Sequence, residues 1–346
     1  MTTEKPILVF EYFTANGINN QSIVLEAISM IKSLTDDLKH KNINLIISKN
    51  YKQYFNDKNI NTTFINEPLE EWLQKNSKNF TKAIFIADET EGHLYNITKI
   101  LEKNNVKIYC PDSNSVKICS DKFLTYNNLK NKIKQPKTFK IKINTEWKTN
   151  ILKIFNEIKS KIIIKPVKGV DCDNVKIIST KEDIQKLNKQ DYTDEILIQE
   201  YITGESCSVS LLSDGKNALP LSLNKQNINT DNYDNSYNGG MLPYNHKLKK
   251  EAFKIAKNAI ENIKGLKGFV GVDLIINDEI TFIEINSRFT TPYIGLKEII
   301  DFNIADAIFK ILDNEITLKE LENFNLNGKI EFLKENNDIK LNKLIE

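Results

Sequence analysis

The first third of the chain alternates short apolar runs with amphipathic stretches. The apolar runs predict strands at residues 7–10, 45–47, 63–65, 83–86 and 106–109. Residues 20–39 predict a helix whose apolar side chains share one face: Ile23, Ala27, Met30, Ile31 and Leu34. Further helices are predicted to begin near residues 67 and 91. Strands separated by helices indicate βαβ units and a parallel sheet, with ligands at the carboxyl ends of the strands.

The loop after the first strand is the first candidate site. Glu11, Tyr12 and Asn16 lie at the carboxyl end of that strand, where a ligand is expected. An ordinary strand-to-helix turn, with Gly17 at positive φ, explains the same residues equally well.

A polar, lysine-rich connection at residues 130–150 leads into a region of short strands. These strands are predicted at residues 161–165, 175–178, 196–199, 206–212 and 218–223. Helices are predicted at residues 146–159 and 246–263, and near residues 292 and 303. The expected fold class is therefore α/β, with α+β character in the C-terminal half. Residues 315–346 are charged and rich in Asn, and we expect them to form a peripheral extension.

Two β-rich runs on either side of residues 277–279 predict a hairpin, because those three residues are typical of turns. If residues 278 and 279 form a two-residue loop, Asp273 lies directly opposite Glu284. Directly opposed side chains share a face, with their Cβ atoms about 5 Å apart. Alternation along the strand then puts Asn286 and Arg288 on the same side as Glu284. A slip of one residue in register would turn Asp273 to the other face.

Two carboxylates that face each other need a cation, because their repulsion would otherwise keep one of them protonated. Asp273, Glu284 and Asn286 offer only oxygen ligands, which suit Mg²⁺ or Mn²⁺ rather than zinc. Mg²⁺ usually completes its ligand shell with waters and substrate phosphates, and Arg288 would supply a bidentate donor beside those phosphates. The alternative is an exposed hairpin with a solvated polar face.

Composition makes Arg288 the most informative basic residue. The 346 residues include 48 Lys and Arg against 46 Asp and Glu, a net charge of +2, and Arg288 is the only arginine. A near-neutral balance argues against a nucleic-acid-binding protein. We find no apolar run near the ~18 residues of a membrane span, and no signal peptide. The scattered cysteines indicate free thiols of a cytoplasmic protein: Cys110, Cys119, Cys172 and Cys207.

The hairpin resembles the ATP-grasp ligases, in which a D…E-x-N motif on antiparallel strands binds the metals that bridge the ATP phosphates. The resemblance implies that Asp273, Glu284 and Asn286 bind two Mg²⁺ or Mn²⁺ ions. It also implies that Lys165 contacts a phosphate and that Lys122 contacts the nucleotide. The implied adenine contacts are Glu200, Tyr201 and Ile202, and the implied ribose contact is Glu205. Without the resemblance, these six are ordinary strand-end and surface residues.

The resemblance also divides the chain. It implies an N-terminal α/β domain at residues 1–118, an ATP-grasp domain at residues 119–314 whose two subdomains clamp ATP, and the extension at residues 315–346. One loop departs from the family, because residues 165–173 contain a single glycine, Gly169, where the family loop is rich in glycine. Asp171 is therefore a candidate for another role, such as an amine contact. We expect Cys172 to be a packed or exposed thiol rather than a nucleophile, because no His lies nearby in sequence.

Six segments resemble, more narrowly, the archaeal tyramine–L-glutamate ligases of methanofuran biosynthesis. They are residues 7–17, 165–173, 199–212, 219–226, 238–240 and 284–293. The implied reaction joins the γ-carboxylate of L-glutamate to the amine of tyramine through an acyl phosphate, while ATP becomes ADP and phosphate. In that reaction Lys225 would contact the γ-phosphate or the glutamate. Arg288 and the backbone of Gly239 and Gly240 would stabilise an oxyanion.

Two other functions remain open on the sequence. Another ATP-grasp ligase, such as a dipeptide ligase or a biotin-independent carboxylase, keeps the nucleotide site and changes the acceptor. A non-catalytic nucleotide-binding module would be expected to have lost a metal ligand, whereas all three predicted ligands are present. The expected partners are the small-molecule substrates, with no nucleic acid and no membrane, and the sequence leaves a homodimer open.

Overall fold

The computed structural model describes residues 5–18, 21–169, 174–192, 194–231, 234–335 and 338–344. Within these ranges the chain forms three β-sheets, of five, four and seven strands. The predicted roles of Asp171 and Cys172 lie outside the described residues. No described helix has both the length and the apolar character that crossing a membrane requires.

The five-stranded sheet comes first in the chain. Its strands are β1 (Ile7–Glu11), β2 (Ile43–Ser48), β3 (Asn61–Ile65), β4 (Lys82–Ile86) and β5 (Lys107–Ile108). The helices of this region are α1 (Tyr12–Asn16), α2 (Gln21–Leu38), α3 (Leu69–Asn76), α4 (His93–Lys103) and α5 (Ser113–Ser120). The strand order is β3-β2-β1-β4-β5, and all neighbouring strands are parallel. This confirms the predicted parallel sheet.

The loop after β1 is an ordinary strand-to-helix turn. The carboxylate of Glu11 caps α1 by accepting the backbone N–H groups of Phe13 and Thr14, at 3.0 and 2.8 Å. Burial raises the pKa of Glu11 to about 7. The helix ends at Gly17, whose φ of 67° lies in the left-handed region. The Asn16 side chain contacts backbone, so these residues have structural partners of their own.

The four-stranded sheet is antiparallel. Helix α6 (Lys122–Leu129) precedes it, and its strands are β6 (Thr138–Lys142), β7 (Ile162–Pro166), β8 (Lys176–Ile178) and β9 (Glu195–Glu200). Helices α7 (Trp147–Ile158) and α8 (Lys181–Lys186) interrupt them in sequence. The strand order is β6-β9-β7-β8. Trp147 and Ile151 of α7 pack on the alternate isoleucines of β7, which gives this sheet its own apolar core.

The seven-stranded sheet is antiparallel throughout. Its strands are β10 (Glu205–Asp214), β11 (Ala218–Asp231), β12 (Asp234–Leu242), β13 (Lys267–Ile276), β14 (Ile280–Asn286), β15 (Lys329–Glu335) and β16 (Asp338–Leu344). The helices are α9 (Lys249–Glu261), α10 (Pro292–Leu296) and α11 (Ile304–Leu312). The order is β14-β13-β10-β11-β12-β15-β16. Helix α9 packs its alanines against one face, beside Val272 and Leu274 of β13.

The C-terminal segment is more closely integrated than its composition predicts. Strand β15 pairs with β12, and β16 pairs with β15, so both extend the large sheet. Ile330 and Phe332 are 2% and 1% exposed, inside the core shared with the N-terminal region. The prediction of a peripheral extension was therefore wrong for these strands, because a few apolar residues within a charged segment are enough to bury one face.

Candidate active site

The predicted hairpin places Asp273 directly opposite Glu284, and Gly271 opposite Asn286. The predicted loop was nevertheless wrong. Ile276 pairs with Ile280, so the loop has three residues, and a β-bulge between these pairs and Asp273 restores the expected register. The loop is one residue longer than predicted and the bulge was not predicted, and the two effects offset each other at Asp273 and Glu284.

The bulge has a packing reason. Phe282 and Ile285 are 1% and 4% exposed and belong to the same apolar core, although two residues lie between them along β14. Strict alternation would turn one of them away from the core. Ile283 is the extra residue that lets both face inward, and it leaves Glu284 and Asn286 beside Asp273.

The carboxylate pair is electrostatically unbalanced. Burial, and next the negative charge of Glu284, raise the pKa of Asp273 to about 7. Burial alone would raise the pKa of Glu284 as well, but the positive charges of Lys122 and Lys165 bring it below its ordinary value. One carboxylate of the pair is therefore stabilised in its charged form, and the other is not.

Two lysines bring positive charge to Glu284 from different parts of the fold. Lys122, the first residue of α6, places its Nζ 3.5 Å from Glu284 Oε2 and donates to the carbonyl of Gly169 at 2.6 Å. Lys165 lies at the end of β7 and is only 7% exposed. The four-stranded sheet and the seven-stranded sheet thus meet at this carboxylate, which is where the sequence predicted phosphate contacts.

Arg288 follows β14 and is held by a residue that the sequence reasoning missed. Its Nε donates to Glu89 Oε2 at 2.7 Å, and its Nη1 donates to the carbonyl of Phe289 at 3.3 Å. The positive charge of Arg288 also lowers the pKa of both Asp273 and Glu284, so the guanidinium lies near the pair. Glu89 follows β4 at the carboxyl edge of the parallel sheet. Ligand sites of parallel sheets lie at this edge, so its position in the sequence could have identified Glu89 as a candidate.

The two predicted carboxylates fit a divalent cation in their chemistry. Asp273 accepts hydrogen bonds from Gln226 at 3.1 Å and from Asn286 at 3.0 Å, so both its oxygens point at amides that can rotate. An all-oxygen set with one raised pKa suits Mg²⁺ or Mn²⁺, whose charge would hold Asp273 ionised. Across the described part of the chain, no group of three His, Cys, Asp or Glu side chains could hold a metal ion, so the proposed set is limited to two carboxylates and an amide.

Glu205 and Lys225 form a separate group on the opposite face of the large sheet. Lys225 pairs with Cys207, and Cys207 with Leu274, so alternation turns Lys225 away from Asp273. Its Nζ lies 3.4 Å from Glu205 Oε2, which also accepts the hydroxyl of Tyr244 at 2.5 Å. The hydrogen bond from Tyr244 lowers the pKa of Glu205. The structure therefore does not bring Lys225 together with Arg288 and Lys165.

The predicted adenine contacts lie where β9 ends, and part of their hydrogen-bonding capacity is already used. The side chain of Glu200 accepts the backbone N–H of Lys137 at 3.3 Å, and the N–H of Tyr201 donates to the carbonyl of Lys161 at 3.0 Å. The N–H of Tyr201 is thus engaged within the small sheet, whereas Ile202 follows in the link to the large sheet.

Gly240 lies inside the large sheet, between Gln226 of β11 and Phe332 of β15. A Cβ on Gly240 would lie 2.3 Å from the carbonyl oxygen of Lys225, and one on Gly239 would lie 2.0 Å from that of Phe332. Close approach of the two neighbouring strands explains both glycines without a ligand. The oxyanion role of Gly240 stays a prediction.

Known proteins resemble this chain in sequence and in fold. Residues 119–292 match a family model described as an ATP-grasp domain. The chain is 36% identical over 329 residues to a tyramine–L-glutamate ligase of Methanocaldococcus fervens, covering 93% of this chain and 99% of that protein. It is 36% identical over 318 residues to that of Methanocaldococcus jannaschii, covering 89% and 90%. A solved structure described as a putative ATP-grasp superfamily protein from Archaeoglobus fulgidus superposes with a TM-score of 0.69 at 24% identity, covering 95% and 92%.

Proposed function

The chain belongs to the ATP-grasp family, and we propose that it is an ATP-dependent ligase that joins the γ-carboxylate of L-glutamate to the amine of tyramine. The products are γ-glutamyltyramine, ADP and phosphate. The relatives named tyramine–L-glutamate ligase support this choice of substrates, because the match covers nearly the whole of both chains. The domain boundary at residue 118 belongs to the same proposal, whereas β15 and β16 place residues beyond 314 in the large sheet.

The observation that supports the chemistry best is the Asp273–Glu284 pair with its surrounding cations. Two opposed carboxylates beside Lys122, Lys165 and Arg288 are what a site for a metal–triphosphate complex needs. We propose Asp273, Glu284 and Asn286 as ligands of Mg²⁺ or Mn²⁺. When bound, such a cation would neutralise phosphate charge and orient the phosphates for transfer.

In the first step, an oxygen of the substrate γ-carboxylate attacks the γ-phosphorus of ATP, and the bond to the ADP oxygen breaks. The acyl phosphate and ADP form without any covalent bond to the protein. Lys165 and Lys122 would offset the negative charge on the transferred group, and Arg288 would present parallel N–H donors to its oxygens. Catalysis in such a transfer consists mostly of positioning and electrostatics.

In the second step, the unprotonated amine attacks the acyl carbon, the amide bond forms, phosphate leaves and the nitrogen loses a proton. Arg288 is proposed to stabilise the oxyanion of this step as well, with Gly240 as the predicted backbone contributor. Glu200, Tyr201 and Ile202 are proposed to contact adenine, and Glu205 the ribose. Lys225 pairs with Glu205 on the opposite face of the large sheet, so we assign it no contact with the γ-phosphate.

ADP release tests the function directly. Purified protein with ATP, Mg²⁺ and L-glutamate should release ADP rapidly only when tyramine is added, and mass spectrometry should find γ-glutamyltyramine. A panel of other amines, amino acids and bicarbonate separates the alternatives. Stimulation by another acceptor and not by tyramine would assign a different ATP-grasp reaction. Tight ATP binding with no turnover on any acceptor would assign a binding module.

A further inference from the structure

Glu89 is a buried carboxylate to which the proposed reaction assigns no role. It is 6% exposed and follows β4, which belongs to a different sheet from β14, and it precedes Arg288 by 199 residues in sequence. One of its oxygens accepts the backbone N–H and the hydroxyl of Ser287, at 3.2 and 3.3 Å. The other accepts the Nε–H of Arg288 at 2.7 Å, the length of a charge-assisted hydrogen bond.

We propose that Glu89 is a positioning residue, which holds the guanidinium of Arg288 in the orientation that the ligase reaction uses. The inference rests on the proposed function of Arg288. Because Ser287 fixes one oxygen of Glu89 with two donors, the other oxygen can meet Arg288 from only one direction. A contact through Nε leaves the end of the planar guanidinium directed away from Glu89.

The alternative partners of Arg288 explain why such a restraint is needed. Its charge acts on both Asp273 and Glu284, so it lies within electrostatic reach of the predicted metal ligands. An arginine without Glu89 would pair with one of these carboxylates and compete with the metal for it. Glu89 therefore keeps one cation and two carboxylates apart in a site where all three must stay available.

The contact also gives the N-terminal sheet a part in the reaction. Glu89 lies at the carboxyl edge of that sheet, where parallel sheets place functional residues. Because the ion pair and the Ser287 contacts join this edge to the end of β14, a shift between the two sheets would move Arg288 directly.

The single arginine makes the proposal testable without turnover. An arginine-selective dicarbonyl such as phenylglyoxal has one guanidinium to label in this chain, and the peptide containing Arg288 reports its rate by mass spectrometry. We expect Glu89→Gln to raise the labelling rate about fivefold, because a neutral amide replaces the carboxylate on Nε. Glu91→Gln is the matched control, since that side chain is 81% exposed in the same loop and should leave the rate unchanged. Equal rates for wild type and Glu89→Gln would overturn the proposal.

Kinetics then test whether the restraint matters for the reaction. Glu89→Gln should lower kcat about 100-fold and change KM for ATP less than about threefold, as for loss of a group that acts in the transition state. Glu89→Asp keeps the charge and should recover about tenfold of that loss. Glu89→Gln combined with Arg288→Lys should lose no more than Arg288→Lys alone, because both act through one guanidinium.

Additive losses in the double variant, or an unchanged kcat in Glu89→Gln, would refute the positioning role. If Glu89→Gln is unfolded at the assay temperature, the labelling rate and kcat of Glu89→Asp decide the question instead. The labelling result does not depend on the substrates. If the wild-type protein releases no ADP with any acceptor, the proposed function is rejected, and the labelling rates alone then decide whether Glu89 restrains Arg288.

Discussion

Replacing Asp273 with Asn should stabilise the metal-free protein while it abolishes the ligase reaction. Asn is close in size and carries no charge, so it removes the repulsion from Glu284. The neighbouring amides of Gln226 and Asn286 can rotate to present an oxygen or an N–H group, so hydrogen bonding at the site survives. A predicted metal ligand is lost at the same time, which is why stability and activity change in opposite directions.

The size of the effect follows from the pKa of Asp273, which is about 7 in the folded chain against 3.8 ordinarily. Between these pH values the folded protein keeps a proton that the unfolded chain has released. Its stability therefore falls as pH rises through that window and is constant above it. The slope of about 1.36 kcal/mol per pH unit gives about 3 kcal/mol between pH 5 and pH 7. Because the side chain is partly open to solvent, we expect about 2 kcal/mol.

The amide of the Asp273→Asn variant cannot titrate, so the variant escapes this loss. An unfolding entropy of about 2.1 cal/mol/K per residue converts 1 kcal/mol into about 1.4 °C for a chain of this length. The variant's advantage in Tm should therefore be about 3 °C larger at pH 8 than at pH 5.

Thermal unfolding in buffer with a chelator, followed by circular dichroism at both pH values, measures this difference. Asp278→Asn is the matched control, because that carboxylate is exposed in the loop of the same hairpin and should give the same difference in Tm at both pH values. An advantage of Asp273→Asn that is equal at pH 5 and pH 8, or a variant less stable than wild type at pH 8, would refute the reasoning. ATP with Mg²⁺ should raise the Tm of wild type more than that of the variant.

Three further predictions concern other parts of the site and fold. Glu284→Gln should lower kcat at least about 100-fold in the ADP-release assay, whereas the exposed Glu279→Gln should retain activity; an active Glu284→Gln enzyme would exclude the metal role. Arg288→Lys should lower kcat/KM about 100-fold, because an ammonium group lacks two parallel donors, and near-normal activity would contradict bidentate contact. Phe332→Ala should lower the free energy of unfolding by about 3–5 kcal/mol in urea denaturation, against less than about 1 kcal/mol for its exposed cross-strand neighbour in Leu341→Ala; equal effects would contradict an integrated C-terminal hairpin.

The sheets were largely predictable because their strands carry strong local patterns. Strand β1 is a continuous apolar run because helices cover both faces of a parallel sheet, and such a run is visible without tertiary information. Strand β15 has no such signal. Its burial depends on pairing with β12, more than 80 residues earlier, where Gly239 allows its backbone to come close. Long-range pairing of this kind leaves only scattered apolar residues in a charged segment.

The part of the site that lies within the β13–β14 hairpin was predictable from the sequence. The opposition of Asp273 and Glu284 follows from pairing within 14 residues, although the bulge depends on a core that the hairpin alone does not reveal. The contact of Glu89 with Arg288 spans two sheets, so no local pattern contains it. The placement of Lys225 on the opposite face follows from its pairing with Cys207, a register that the sequence reasoning left undetermined.

The charges around the hairpin balance when Asp273 is ionised, the state that a bound cation would favour. Three carboxylates and three cations form the cluster, namely Asp273, Glu284 and Glu89 with Lys122, Lys165 and Arg288. ATP brings about four negative charges, which two divalent cations would neutralise. With Asp273 ionised, the cluster has little net attraction for ATP alone, whereas it can accept the neutral complex of ATP and two divalent cations. Glu89 is essential to that balance. Without its negative charge the cluster gains one positive charge, and its affinity for ATP without metal rises. The ion pair with Arg288 thus favours entry of nucleotide and metal together.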